Sequence, residues 1–269
     1  MDANNEVLVV SFGTTSADSR RLNIDSVEQV IGEAAGENWV IRRSFTSQMI
    51  INIIAKKENI KIDSVDEALE RASADGIKNL VVQPTHLMNG LEYEKLSGIL
   101  ADHAGSFERT AIGDPLLTSE EDFSRVADAL IEASAAYIDG ETALVFMGHG
   151  TEASANDVYS RMQNVLNVKA KRDFFVGTVE AEPSLDDVIK AVRKGHYRRV
   201  VIRPLMLVAG NHAVNDMASA YDPDSWYSRF RAEGYETVCI IEGLGQLQTV
   251  RNIYADHVHK AIESLDIFL

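Results

Sequence analysis

Short apolar runs rich in Val, Ile and Leu punctuate this chain, with helix-like stretches between them. They lie near Val7–Ser11, Trp39–Phe45, Asn79–Val82 and Thr110–Gly113, then near Ala143–Met147, Phe174–Val179, Arg199–Leu207 and Thr237–Glu242. A run too short for a helix, apolar on successive residues, predicts a strand buried on both faces. Strands alternating with helices predict parallel sheets covered by helices. The expected fold is therefore α/β, with two similar doubly wound domains, each a four-stranded parallel sheet flanked by helices. The 269 residues suffice for two domains of about 130 each.

The helices carry start and stop signals. Ser64-Val-Asp-Glu67 reads as a capping box, and Gly76 as the glycine that ends the same helix. Ser119 opens DFSRVADALIEASAAY with acid in its first turn, where the helix dipole favours it. Another helix begins near Ser184 and closes at Gly195. The two sets of four strands read as a duplication. Ser11-Phe12-Gly13-Thr14 parallels Gly148-His149-Gly150-Thr151, and Gln83-Pro84 with Gly90 parallels Arg203-Pro204 with Gly210. The expected domains are residues 1–125 and 126–269. The last amphipathic stretch, Leu247–Ile262, is read as packing back on the first.

Three potential metal ligands occupy equivalent places in the second half. His149, Glu180 and His212 each follow an apolar run, 31 and 32 residues apart (180−149 and 212−180). A β-α-β unit takes about 30 residues. One ligand per unit therefore puts all three at the carboxyl edge of one sheet, where open α/β sheets bind ligands. Two imidazoles and a carboxylate suit a borderline divalent metal such as Co, Ni, Fe or Zn. On the duplication, these positions answer to Phe12, Ser47 and Glu92 in the first half. Glu182 competes with Glu180 but reads as a solvated acid before a proline-started helix. Asn215 and Asp216 are placed to orient an imidazole from behind.

Other chemistries have less support. The formal charge of 26−41 = −15 argues against nucleic acid and against an acidic membrane surface. No stretch approaches 18 apolar residues, and the start MDANNEVLVV lacks the pattern of a signal peptide, so the expected location is the cytoplasm. Cys239 is the sole cysteine and reads as a small core residue. Gly148-His-Gly-Thr-Glu-Ala153 fits the dinucleotide string G-x-G-x-x-A. However, it follows the fifth strand, and Glu152 would repel a pyrophosphate. The sequence has no H-E-x-x-H, no P-loop and no G-x-S-x-G. Ser11, Thr14, Thr15 and Ser47 can contact a ligand's carboxylates or simply cap helices. For an anionic ligand the expected local donors are strand-end amides, hydroxyls and a few cations such as Arg43 or Arg203.

Ordered strings along nearly the whole chain resemble one family, the anaerobic-type sirohydrochlorin cobaltochelatases of cobalamin biosynthesis, within the class II chelatases. They are LVVSFGTT, the segment with Arg43, Phe45, Thr46, Ser47, Met49 and Ile50, NGLEYEK, VFMGHG, VGTVE and PLMLVAGNHAVNDMAS. The resemblance implies His149, Glu180 and His212 as metal and catalytic residues, and Glu92 as a substrate or proton-handling group. The candidate substrate contacts are Ser11, Gly13, Thr14, Thr46, Ser47, Asn89, Gly90 and Gly210. Relatives often have aspartate where this chain has Asn211. The implied activity is insertion of Co2+ into a sirohydrochlorin-type tetrapyrrole without nucleotide. Iron or nickel insertion into the same ring, or a non-catalytic metal or haem carrier, are the alternatives. Assembly of identical copies is left open.

Overall fold

The structure, a computed structural model, describes residues 4–151 and 154–265. Glu152 and Ala153, which complete the dinucleotide-like string, lie outside these. Contacts divide the chain into two units. One runs up to Thr118 and takes back the chain from Val250; the other is Ser119–Thr249.

The first unit holds β1 Asn5–Ser11, β2 Val40–Phe45, β3 Asp63–Ser64, β4 Asn79–Pro84 and β5 Arg109–Ile112. They form one parallel sheet in the order β3-β2-β1-β4-β5. The second unit holds β6 Thr142–Gly148, β7 Phe174–Thr178, β8 Arg199–Pro204 and β9 Glu236–Cys239, parallel in the order β7-β6-β8-β9. The α/β, doubly wound architecture is as expected, with one correction. The first sheet has five strands, not four. Its extra strand is the pair Asp63–Ser64, hydrogen-bonded beside Ser44 and Phe45. Two half-exposed residues leave no hydrophobic run to read.

The continuous apolar runs are buried on both faces. In β1 every residue from Glu6 to Ser11 is buried. Leu8 and Val10 pack on Val65, Leu69 and Ala72 of helix Val65–Ala74. In the second unit Val145 and Met147 pack in one cluster with Val188, Val192 and Phe230. Capping boxes start the helices at Ser64 with Glu67, Ser119 with Asp122, and Ser184 with Asp187. The helix after Ser184 ends at Val192, and Gly195 closes the turn that follows it. Gly76, at φ +77°, follows the first of these helices.

Helix Glu120–Ala133 lies wholly in the second unit. The guanidinium of Arg161 sits 3.9 Å from the Phe123 ring centroid, and Lys169 Nζ is 2.8 Å from Asp128. A cut at 125/126 would pass through that helix; contacts place the break just before it. From Val250 onward the terminal helix Gln248–Leu265 belongs to the first unit. Tyr254 Oη donates to Thr85 O (2.9 Å), and His257 Nδ1 donates to Asp114 O (3.1 Å).

The two sheets share one register. Val10 of β1 pairs with Pro84 as Met147 of β6 pairs with Pro204, and Ser11 pairs with Phe45 as Gly148 pairs with Thr178. The loops beyond the strands match as well. Thr46 N donates to Ser11 O and Ser47 N to Phe12 O; correspondingly, Val179 N donates to Gly148 O and Glu180 N to His149 O.

Candidate metal centre

β6 ends at Gly148, and the next residue, His149, is exposed between two glycines that the packing requires. A Cβ on Gly148 would lie 2.1 Å from the Tyr159 ring. Gly150 has φ +93°, and a Cβ there would lie 2.8 Å from Ala181 N. Tyr159 Oη in turn accepts the Gly150 N–H (3.2 Å). This turn is stitched to the end of β7 by Glu180 N donating to His149 O (2.9 Å). Two donor-bearing residues are thus fixed to each other through the backbone. His212 comes from the loop after β8, immediately before the π-helical turn Ala213–Met217.

The three side chains converge. Ligating atoms of His149, Glu180 and His212 all lie within 4.8 Å of one another. The two imidazole centroids are 4.8 Å apart with planes at 89°. Donors around one first-row ion at about 2.1 Å are at most about 4.2 Å apart, so small side-chain rotations close the set. The side chains are 46%, 56% and 35% exposed, which leaves them room to turn.

Hydrogen bonds fix the imidazole tautomers. His149 Nδ1 lies 3.0 Å from Gly150 O, and His212 Nδ1 lies 2.8 Å from Asp216 Oδ2. A carbonyl or a carboxylate oxygen only accepts, so each Nδ1 carries the proton. Each Nε2 then presents a lone pair, and the outer acceptor fixes the ring's orientation. Of the two residues read as orienting groups, Asp216 holds an imidazole. Asn215 instead donates to Asn211 Oδ1 (2.7 Å). Glu182 Oε2 accepts from Ser184 N (3.3 Å) at the start of the next helix.

The other expected residues divide by availability. Ser11 is 1% exposed, and its hydroxyl is 2.8 Å from that of Thr85. Thr14 Oγ1 accepts from Ser16 N (3.3 Å), and Ser47 Oγ caps helix Gln48–Glu58 through Ile50 N (3.4 Å). The Ser11 hydroxyl is thus paired with a distant side chain, while those of Thr14 and Ser47 accept from the local backbone. Gly13, at φ +98°, would put a Cβ 2.6 Å from the Phe45 ring. Thr46 Oγ1 is buried with no hydrogen-bond partner. Asn89 is exposed, Gly90 caps helix Leu91–His103, and Glu92 lies exposed in its first turn. Gly210 O accepts from Val214 N (3.2 Å) ahead of the π-helical turn. His86, after β4, has both ring nitrogens buried without partners. Burial pushes its pKa below the ordinary histidine value, against the opposing charge of Glu92.

The two arginines expected to meet an anion are committed elsewhere. Arg43 binds Glu28 (2.5 Å) and Asp25 (2.5 Å). Arg203, 5% exposed, binds Glu242 (2.8 Å) and donates to Ala133 O (3.0 Å). Sequence reading missed Tyr159. Its position on helix Asp157–Ala170 gave no sign that its ring fills the space beside Gly148.

The family model described as cobalt chelatase (CbiK) matches residues 5–263. The sirohydrochlorin cobaltochelatase of Salmonella typhimurium is 35% identical over 256 residues, covering 95% of this chain and 96% of the relative. Sirohydrochlorin cobaltochelatase CbiKC of Nitratidesulfovibrio vulgaris is 31% identical over 268 residues, covering 97% and 91%. Among solved structures, SirB from Bacillus subtilis with Fe3+ superposes with a TM-score of 0.66 at 14% identity, covering 98% of each chain. That likeness establishes the fold. Among the described residues no helix is long and apolar enough to cross a membrane.

Proposed function

We propose that this chain, which belongs to the cobalt chelatase (CbiK) family, inserts Co2+ into a sirohydrochlorin-type tetrapyrrole without nucleotide. The observation that carries this reading is the convergence of His149, Glu180 and His212, whose ligating atoms lie within 4.8 Å of one another. Three protein donors leave further coordination positions of a first-row ion open, as transfer to a ring requires.

The chemistry needs the metal to shed ligands, the ring nitrogens to reach it, and two pyrrolic protons to leave. His149 and His212 offer Nε2 lone pairs because Gly150 O and Asp216 hold the opposite protons. Glu180 adds a negative charge, which offsets the cost of drawing the cation out of water. The protein's contribution is mainly orientation: the ion is held where the ring nitrogens can displace its remaining ligands. One pyrrolic proton would pass to a general base, one of His149, Glu180, His212 or the exposed Glu92, and the second to solvent water.

The test is an anaerobic assay of metal-stripped protein with sirohydrochlorin and Co2+, with Fe2+ and Ni2+ run in parallel. Spectral conversion of the ring is expected with wild type. A loss of about a hundredfold or more is expected in His149→Ala, Glu180→Ala and His212→Ala, since each removes a donor from the metal. Stoichiometric binding without turnover would replace catalysis by carriage. Wild-type rates in all three variants would remove the site.

A further inference from the structure

His149 and Glu180 lie just beyond the ends of two neighbouring strands, β6 and β7, and one ion needs both side chains at once. A backbone bond joins their loops, Glu180 N donating to His149 O (2.9 Å). A single bond holds two loops at one point and lets them pivot about it. A second tie, set away from the first, removes that freedom.

One side chain supplies the second tie. Asn156 ends the short turn Ser154–Asn156 and precedes helix Asp157–Ala170. Its Oδ1 accepts from Thr151 N (3.0 Å), and its Nδ2 donates to Glu182 O (2.5 Å). A backbone N–H only donates and a carbonyl only accepts, so the two partners fix which way the amide faces. Thr151 lies two residues beyond His149, and Glu182 two beyond Glu180 (151−149 and 182−180). The amide therefore bridges the two donor-bearing loops at matching positions.

The place of Asn156 in the chain would give it another task. It occupies the N-cap of its helix, where asparagine ordinarily accepts from a backbone N–H of the first turn. Ser119 and Ser184 do this for their own helices, whereas Asn156 makes no such cap bond. Its amide is committed to the loops instead. Each loop is already held from within: Tyr159 Oη accepts from Gly150 N (3.2 Å), Thr178 Oγ1 accepts from Ala181 N (3.2 Å), and Thr178 N donates to Pro183 O (2.7 Å). The motion left is that of one loop against the other, and the Asn156 bridge opposes it.

We infer that Asn156 is a positioning residue for metal binding, a clip that fixes the Glu180 carboxylate relative to the His149 imidazole. This rests on the reading of His149, Glu180 and His212 as the metal donors, and adds a residue that touches none of the three. Asn156→Ser removes the bridge and keeps a residue favoured at a helix N-cap, so the fold is retained. Asn156→Asp keeps the size and the acceptor for Thr151 N but has no donor for Glu182 O. The control is Asn167→Ser. Asn167 lies on the same helix, and its Oδ1 accepts from Phe174 N (2.6 Å) at the opposite end of β7. Metal-stripped proteins are titrated with Co2+, each with and without Glu180→Ala in the same chain, and urea unfolding measures stability.

Asn156→Ser is expected to weaken Co2+ binding about tenfold, the low end of the loss when a group supporting a metal ligand is removed. The visible absorption bands of bound Co2+ are expected to shift in both Asn156 variants, because the donors no longer keep their relative placement. In the Glu180→Ala background, Asn156→Ser is expected to cost less than about twofold, since no carboxylate remains to be placed. Asn167→Ser is expected to lower stability and leave Co2+ affinity unchanged. Affinity within about twofold of wild type and unshifted bands in the Asn156 variants would overturn the clip. An undiminished loss of about tenfold in the Glu180→Ala background would also overturn it, by reducing Asn156 to general support of the fold. Co2+ binding with the expected coupling, but no metallation of sirohydrochlorin by wild type, would remove the chelatase reading and leave the clip standing. A wild type that bound no Co2+ would overturn both.

Discussion

Replacing Asp216 tests whether the proposed metal centre is held from behind in the way its hydrogen bonds indicate. Asp216 Oδ2 lies 2.8 Å from His212 Nδ1, with side chains 41% and 35% exposed. A hydrogen bond to a charged group contributes about 1.5–3 kcal/mol when shielded from water. With this much solvent access, a value just below that range, about 1.4 kcal/mol, is appropriate. That corresponds to about tenfold in Kd for Co2+. It also meets the lower end of the 10- to 100-fold losses, roughly, seen when outer partners of metal-bound histidines are removed. Asp216→Ala frees the imidazole to rotate and to change tautomer, so the full tenfold is expected. Asp216→Asn keeps an oxygen that can accept the Nδ1 proton, so it should cost about threefold, mainly through the lost charge. The control is Asn215→Ala, whose amide bonds Asn211 rather than an imidazole. Metal-stripped protein titrated with Co2+, by calorimetry and by its visible absorption bands, gives the constants. An Asp216→Ala Kd within twofold of wild type would show that the bond does not position the ligand.

Four further outcomes follow from particular contacts. Gly148→Ala puts a Cβ 2.1 Å from the ring of the buried Tyr159. It should cost about 1–3 kcal/mol in urea unfolding and weaken Co2+ binding by displacing His149, and a neutral result would contradict the packing. Tyr254→Phe removes the donor to Thr85 O (2.9 Å) and His86 O (3.2 Å), and should lower stability by about 1–2 kcal/mol in the same assay. Asp187 is held well below the usual carboxylate range, first by the Ser184 hydroxyl. A depressed folded pKa contributes stability that is present above the unfolded value of about 3.9 and is lost as pH falls below it. The gap between wild type and Asp187→Asn should therefore shrink below about pH 4, and a gap constant from pH 7 to 3 would refute the assignment. Burial pushes the Cys239 thiol up to about 12. Alkylation at pH 8 should accordingly run at least about a hundredfold slower in the native than in the unfolded chain, and equal rates would show the thiol to be free.

Much of the fold was legible because its signals are local. A strand covered on both faces must be apolar at successive positions, and β1, β4, β6 and β8 are. Ser64 with Glu67 and Ser119 with Asp122 act over a single helical turn, so three residues of spacing reveal them. His149, Glu180 and His212 were visible for the same reason: each directly follows a strand or its loop. β3 was not legible, because a two-residue pairing leaves no pattern. The availability of polar groups was not legible either. Ser11 is joined to Thr85, 74 residues away, and Arg203 to Glu242, 39 residues away.

The order of strands and helices, and the edge on which the donors fall, are properties of short segments, so the residues alone determined them. Which donors remain free was decided only in three dimensions. Asp216 and Asn215 are neighbours of similar shape, yet the π-helical turn aims one at His212 and the other at Asn211. A polar side chain bonds whatever distant group the packing brings to it, and no local pattern encodes that choice.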